Sequence, residues 1–165
     1  MAIARLAGRM DRHNEVLGYV VGAMGGALAI GLMELVSASA AYPLMAVPFA
    51  TSIVLVMGTP DADPAQPRAL VGGHLLATFV GLLVVKAVGP SPWAAALAVG
   101  LAMGAMHWTR SFHPPAGIDP LVVVINNMSW GFLLAPVAVG AVLLALFALV
   151  WHNMARRGSW PQRWW

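Results

Sequence analysis

Cysteine is absent from this chain of 165 residues, and charged residues of either sign are scarce. Without cysteine the sequence excludes disulfides and metals bound by thiolates, and it gives no indication of the redox compartment. Only 9% of the residues are charged, against about 25% in an ordinary soluble domain. Because 60% of the residues are hydrophobic, the composition excludes a conventional water-soluble domain.

Three long runs contain no Asp, Glu, Lys or Arg: residues 16–33, 69–85 and 128–151. A hydrocarbon core of about 30 Å needs about 20 such residues in a helix. A backbone surrounded by lipid must also satisfy its hydrogen bonds within its own segment. The runs therefore predict an all-α, polytopic transmembrane bundle whose surroundings are the lipid bilayer.

Six of the nine basic residues flank this apolar region at its two ends. They are Arg5, Arg9 and Arg12 before it, and Arg156, Arg157 and Arg163 after it. This positive-inside pattern predicts a cell (inner or plasma) membrane protein with both termini in the cytoplasm and an even number of crossings, rather than a nucleic-acid-binding protein. We divide the chain into a basic interfacial segment (1–16), a single transmembrane domain (17–152) and a basic, aromatic cytoplasmic tail (153–165).

The apolar region contains a duplication. Three segments recur in the same order at nearly one offset: the segment that begins at Ala27 recurs 69 residues later, the one at Pro48 67 residues later and the one at Val71 68 residues later. Pro48–Ser52 therefore aligns with Pro115–Asp119. The halves, about 18–88 and 93–152, each read as a long helix, a short proline-broken helix and another long helix. The predicted long helices are 18–38, 69–88, 93–109 and 130–152, and the short segments are 43–58 and 113–126. If the short segments cross the membrane, there are six crossings and the halves are inverted; if they re-enter, there are four.

Small residues recur at helical spacing. Gly18, Gly22 and Gly26 are four residues apart, as are Gly100 and Gly104. Such faces let helix backbones approach closely in lipid. We expect part of this surface to form a homodimer or a higher homo-oligomer.

One motif resembles a known family. Ser111–Gly117 reads Ser-Phe-His-Pro-Pro-Ala-Gly and resembles the signature of the HPP family of integral membrane proteins. Further matches follow the family's order at 48–52, 65–68, 72–75 and 134–140. The resemblance implies a transporter-like protein, and family members in photosynthetic organisms are associated with nitrite transport. The chain departs from the family pattern at Ala50-Thr51, where Gly-Ala is usual, and at Ile118-Asp119-Pro120, where small or hydroxyl residues are usual.

Broken helices suggest where a solute would bind. Their unpaired N–H groups and positive dipole ends attract anions, and repeat-built transporters bind substrates near the midplane. We therefore expect a site for a small inorganic anion, most specifically nitrite, between the two short segments. Its candidate residues are Thr51, Ser52, His74, His113, Pro114, Pro115, Ala116, Gly117 and Asp119, with Arg68 and Arg110 as candidates for anion capture or gating.

Each of these side chains also has a structural interpretation. His113 is either a gate or an interfacial residue that caps the break, and His74 is either functional or a packing residue. Asp119 before Pro120 is typical of a helix N-cap, and the alternative is a carboxylate that couples transport to protons or holds a cation. Arg68 and Arg110 are either topological anchors or anion ligands.

Other protein classes leave weaker signals. The chain has no HExxH, GxSxG or phosphate-binding glycine motif, so we expect neither an enzyme nor a bound metal or cofactor. One alternative is a proton- or cation-coupled transporter of another small solute. The others are a non-transporting scaffold and a haem-binding subunit that uses two of His74, His107, His113 and His152.

Overall fold

The computed structural model describes residues 2–39, 47–155 and 158–164, and of residues 2–14, 39 and 155 the backbone alone. Within these ranges the chain is helical and contains no strand, as the sequence predicted. The α-helices are α1 (Ala2–Ser39), α2 (Ala50–Gly58), α3 (Pro67–Val88), α4 (Pro92–Trp108), α5 (Ile118–Ile125) and α6 (Val139–Ala155). Short 3₁₀ turns, Asp63–Ala65 and Pro114–Gly117, precede α3 and α5. The segment Leu133–Ala138, which is kinked at Ala135 (φ −135°, ψ 117°), leads into α6.

Proline and glycine set several of the helix ends. Pro67 and Pro92 occupy the first position of α3 and α4, where no backbone N–H is needed. Gly89 ends α3 with a φ of 80°, in the left-handed region that favours glycine. The side chain of Ser91 then caps α4 by accepting the N–H of Ala94 at 3.1 Å.

Three of the described helices are long and apolar enough to cross a membrane. They comprise residues Glu15–Ala38, Pro67–Val88 and Leu133–Met154. The helices α2 and α5 have 9 and 8 residues, which at 1.5 Å per residue is about 12–14 Å and less than half the hydrocarbon thickness. The two short segments that the sequence predicted are therefore short helices, although the first part of 43–58 lies outside the described residues.

Neighbouring contacts give the direction of each helix. Gly22 of α1 lies against Met57 and Gly26 faces Ile53, so α2 runs antiparallel to α1. Gly73 of α3 lies against His113, whereas Gly81 lies against Pro120, so α5 runs parallel to α3.

The last helix returns along the first. Trp151 of α6 packs against Gly25 of α1, and the His152 side chain hydrogen-bonds to the Val56 carbonyl at 3.1 Å. The turn at Gly89 makes α4 antiparallel to α3, and therefore to α5. Gly140 at the start of α6 lies against Phe49 and His152 near its end bonds to Val56, so α6 runs parallel to α2 and antiparallel to α1. The duplication of the two halves stays a prediction.

The C-terminal tail contributes to the core. Trp160 is 1% exposed and packs in a cluster with Phe49, Leu70 and Leu144. Its indole Nε1 donates to the carbonyl of Ala65 at 3.3 Å. The tail therefore folds back onto the turn before α3, a position that its aromatic and basic composition did not predict.

Candidate functional site

Four polar side chains lie together in the interior, each with 0% exposure: Ser52, His74, His113 and Asp119. They come from α2, α3, the residue before the second 3₁₀ turn, and α5. Buried polar groups in membrane segments are costly unless hydrogen-bonded, and ionisable ones are candidates for a functional site. We refer to these four residues as the buried network.

His74 is at the centre of the network, with a partner on each ring nitrogen. Its Nδ1 lies 2.8 Å from Asp119 Oδ2, and its Nε2 lies 2.8 Å from Ser52 Oγ. Thr78, one turn further along α3, donates its hydroxyl to the same Oδ2 atom at 3.1 Å. The Phe49 ring packs against the imidazole, with ring centroids 4.6 Å apart. His74 is therefore held by α2, α3 and α5 at once.

His113 completes the network from the other side of Ser52. Its Nε2 lies 2.8 Å from Ser52 Oγ, and its Nδ1 lies 2.7 Å from the carbonyl oxygen of Pro64. The prolines that follow, Pro114 and Pro115, prevent a regular helix from beginning earlier, and His113 is extended with a φ of −128°. The side chain thus lies in the interior, and it does not cap the helix break.

A close helix approach makes this arrangement possible. A Cβ atom on Gly73 would lie 2.6 Å from the Cβ of His113 and 2.9 Å from the carbonyl oxygen of Ser111. Only glycine fits at this position, where the chain that leads into α5 crosses α3. Gly73 therefore sets the distance between α3 and His113.

The two positions that the sequence duplication aligned, Ser52 and Asp119, lie on opposite nitrogens of the His74 ring. Thr51, in contrast, is exposed and lies outside the network. The N-cap prediction for Asp119 is wrong: α5 begins at Ile118 with Gly117 at the cap, and its carboxylate bonds to His74 instead. Burial next to an imidazole takes precedence over the local Asp-Pro pattern.

The four residues after His113 form the break. Pro114 is exposed, Pro115 and Gly117 are partly buried, and Ala116 is fully buried. Together they make the 3₁₀ turn that leads into α5. Their role in the structure is to shape the backbone beside the network.

Arginines line a polar cavity of about 320 Å³ at the end of the bundle where α3 begins. The cavity is lined by Asp63, Gln66, Arg68, Ala69, Arg110 and Arg163. Arg68 donates to the carbonyl of Thr109 at 2.7 Å, and Arg163 pairs with Asp63 at 2.6 Å. The structure thus brings Arg68 and Arg110 together, as an anion-capture role requires, and adds Arg163, which the sequence placed only in the basic tail.

The cavity and the network are neighbours along the chain. Pro64, whose carbonyl accepts from His113, follows Asp63 of the cavity directly. Ser111 is next to Arg110 and packs against Gly72 and Gly73 of α3. A solute in the cavity is therefore separated from His113 by the turn that contains Pro64.

The network argues against haem ligation by its two histidines. The rings of His74 and His113 have centroids 5.0 Å apart, and Ser52 Oγ bridges them. A porphyrin cannot fit between rings so placed. His107 stacks on Phe112 with a centroid distance of 4.0 Å, away from the network.

These features define the class of protein: a multi-pass helical membrane protein with a polar site enclosed in its apolar bundle. The chain belongs to the HPP family, since the family model described as "HPP, transmembrane region" matches residues 11–161. Two transmembrane proteins of Dictyostelium discoideum are 41% and 38% identical to it over 125 residues. Each match covers 71% of this chain but only 40% and 44% of the relatives, so the chain spans less than half of their length. No solved structure matches this chain.

Proposed function

We propose that this protein is a transmembrane transporter for a small inorganic anion, with nitrite as the preferred solute. The observation that carries the proposal is that α2 and α5 begin beside the same buried network, where Ser52 bonds to His113 at 2.8 Å. Two short helices that start at one polar cluster, inside an otherwise apolar bundle, are typical of repeat-built transporters. The family resemblance implies nitrite as the specific solute.

The helix directions support six crossings rather than four. Since α2 runs antiparallel to α1 and α5 runs antiparallel to α4, both short helices continue toward the opposite side instead of dipping back to the side from which they came. The first three helices and the last three then have opposite orientations, and both termini lie on one side. The flanking arginines favour the cytoplasm for that side.

Both short helices direct partial positive charge toward their common junction. A helix N-terminus generally leaves N–H groups without an intrahelical acceptor and carries positive potential from the helix dipole. At α5 the Ile118 N–H already donates to the carbonyl of Pro115 in the preceding turn and Pro120 has no N–H, so the dipole supplies the positive potential there. A monovalent anion at the junction would gain from both helices. Ser52 and His113 supply the hydroxyl and the imidazole that would replace part of its hydration shell.

The arginine cavity serves as the point of capture. Planar guanidinium groups match the geometry of small oxyanions, and Arg68, Arg110 and Arg163 line the same space. From this cavity the anion would reach the junction by displacement of the turn around Pro64. Because every side chain of the network has 0% exposure, the site is occluded, and transport requires α2 and α5 to separate.

A hydrolytic function is the weaker interpretation of the same side chains. The order Ser52, His74, Asp119 resembles a nucleophile, a base and an orienting acid. However, Ser52 Oγ is buried and bonded to a second imidazole, that of His113, which occupies the direction from which a substrate would approach. We propose that the protein moves its solute unchanged.

The exposed small face of α4 suits a second copy of the chain. Gly100 and Gly104 meet nothing within 4 Å among the described residues, so a partner helix can approach their backbone closely. We propose a homodimer through this face, and cross-linking in native membranes tests it.

A flux panel tests the solute. Purified protein in liposomes should take up nitrite faster than protein-free vesicles do, and excess nitrate, formate and chloride should show how selective the uptake is. Protein-free vesicles are essential as the control, because nitrous acid itself crosses lipid. If none of these anions moves faster with the protein than without it, the proposed function is wrong.

A further inference from the structure

The buried network has more hydrogen bonds than its residues have protons to fill them. Four bonds connect it in a line: Asp119 to His74, His74 to Ser52, Ser52 to His113, and His113 to the carbonyl of Pro64. Each bond needs one proton between its two heavy atoms. Four protons are therefore required.

The ordinary protonation states supply only three. At neutral pH an ionised Asp119 brings none, and the two neutral imidazoles and the Ser52 hydroxyl bring one each. The Pro64 carbonyl can only accept, so His113 Nδ1 must carry its proton there. The Nε2 of neutral His113 then accepts from Ser52, and Ser52 in turn must accept from His74 Nε2.

The shortage falls at Asp119. With its one proton on Nε2, neutral His74 presents a lone pair to Asp119 at 2.8 Å, and two acceptors would face each other. One additional proton removes the conflict. A third contact of Ser52 Oγ, 3.5 Å from the Pro48 carbonyl, is at the limit for a hydrogen bond and would only raise the number of protons required.

We propose that Asp119, His74, Ser52 and His113 form a binding site for one additional proton, which Ser52 can relay between the two histidines. The proton makes the network neutral overall. This inference goes beyond the transported solute and holds whichever solute that is.

The added proton has three positions that keep all four bonds. On Asp119, the acid donates to His74 Nδ1 and every other residue is neutral. On His74, both ring nitrogens donate and Asp119 is ionised. On His113, Ser52 turns its hydroxyl toward His74 Nε2 and accepts from His113 Nε2. The move from Asp119 to His74 transfers one proton, from Oδ2 to Nδ1. The move from His74 to His113 transfers two, because His74 Nε2 gives its proton to Ser52 Oγ while Ser52 gives its own proton to His113 Nε2.

One further atom favours the neutral acid. Asp119 Oδ1 is buried and has no hydrogen-bond partner. An unpaired oxygen of an ionised carboxylate costs much more to bury than the carbonyl oxygen of a neutral acid. The Thr78 hydroxyl, which donates to Oδ2, is compatible with both forms.

Other titratable groups on the helices around the network have contacts elsewhere. Arg68 on α3 bonds to Thr109, Asp63 before α3 pairs with Arg163, His107 on α4 stacks on Phe112, and His152 on α6 bonds to Val56. Lys86, Glu15, Tyr19 and Glu34 are exposed at other positions. Their titration is common to the wild type and to variants of the network, so a comparison between them removes it.

The pH dependence of stability tests the site. Above the reference pKa of histidine, about 6.5, the unfolded chain carries an ionised Asp119 and neutral imidazoles, whereas the folded wild type retains one proton more. By linkage, the free energy of unfolding of the wild type must then decrease as the pH rises. The slope of that free energy against pH corresponds to one proton. We expect its unfolding midpoint in detergent to decrease as the pH is raised from about 7 to about 9.

Two variants should abolish this slope. Asp119→Asn donates an amide N–H to His74 and needs no additional proton. Ser52→Ala divides the line into two bonds, His74 to Asp119 and His113 to Pro64, which the neutral imidazoles fill by themselves. Thr78→Val is the matched control: it removes a neighbouring hydroxyl, leaves the line intact and should keep the slope.

The outcomes separate a shared site from a single buried acid. If Ser52→Ala keeps the slope of the wild type while Asp119→Asn loses it, Asp119 holds its proton alone and the shared site is wrong. Parallel profiles for the wild type and Asp119→Asn also overturn it. Should a variant fail to fold, an indicator dye can measure proton release when the wild type unfolds near pH 8, and no release contradicts the proposal.

Discussion

Replacing Gly73 by alanine should force His113 away from α3 and weaken the buried network. The added Cβ would lie 2.6 Å from the Cβ of His113 and 2.9 Å from the Ser111 carbonyl oxygen, whereas carbon atoms pack at about 3.5–4.0 Å. The chain before α5 must therefore shift by about 1 Å. Such a shift would stretch the bond of 2.8 Å between His113 and Ser52 beyond hydrogen-bond distance.

The cost can be assembled from its parts. Overpacking costs about 1–3 kcal/mol, and the loss of a buried hydrogen bond costs about 1–3 kcal/mol. Alanine in place of glycine stabilises a helix by about 1 kcal/mol, which offsets part of this cost. We expect Gly73→Ala to lower the free energy of unfolding by about 3 kcal/mol overall.

Unfolding of the purified protein in detergent, followed by circular dichroism, provides the measurement. Gly31→Ala in α1 is the matched control, since its Cβ would meet nothing within 4 Å among the described residues, and it should be neutral or slightly stabilising. A Gly73→Ala variant as stable as Gly31→Ala would refute the reasoning, because it would show that α3 and the chain at His113 are not in close contact.

Three further predictions concern the tail, the cavity and the proton. Trp160→Ala should lower the unfolding free energy by about 3–5 kcal/mol, measured in the same way, whereas Trp164→Ala, with a side chain 62% exposed, should change it by less than about 0.5 kcal/mol. Arg110→Gln should raise the half-saturating nitrite concentration in liposome uptake about tenfold through loss of a charge-assisted hydrogen bond, while Lys86→Gln, at the opposite end of α3, should leave it unchanged. Nitrite uptake by the wild type should also acidify the vesicle lumen faster than in protein-free vesicles, in which only nitrous acid crosses the lipid. Acidification no faster than in those vesicles would show that the proton of Asp119 does not travel with the anion.

The helix pattern could be predicted well from the sequence, because it depends on local chemistry. The predicted helix 69–88 is observed as Pro67–Val88, and 93–109 is observed as Pro92–Trp108. Uninterrupted apolar runs and proline at the first helical position determine both. The short second segment likewise ends at Ile125, one residue before its predicted end.

The network could be predicted only in part, because it depends on contacts between distant residues. The bond from His74 to Asp119 joins residues 45 positions apart, and the local Asp-Pro pattern indicated a cap instead. A signal was present in the predicted duplication, which aligned Ser52 with Asp119. No comparable signal pointed to Trp160, because a tryptophan side chain suits a membrane interface as well as a core.

Nitrite uptake by Ser52→Ala, compared with Thr51→Ala, tests the central claim most directly. The two residues are adjacent, yet Ser52 joins both histidines of the network while Thr51 is exposed. If the junction of α2 and α5 is the transport site, liposomes with Ser52→Ala should take up nitrite no faster than protein-free vesicles, and Thr51→Ala should match the wild type. Wild-type uptake by a correctly folded Ser52→Ala protein would contradict the account.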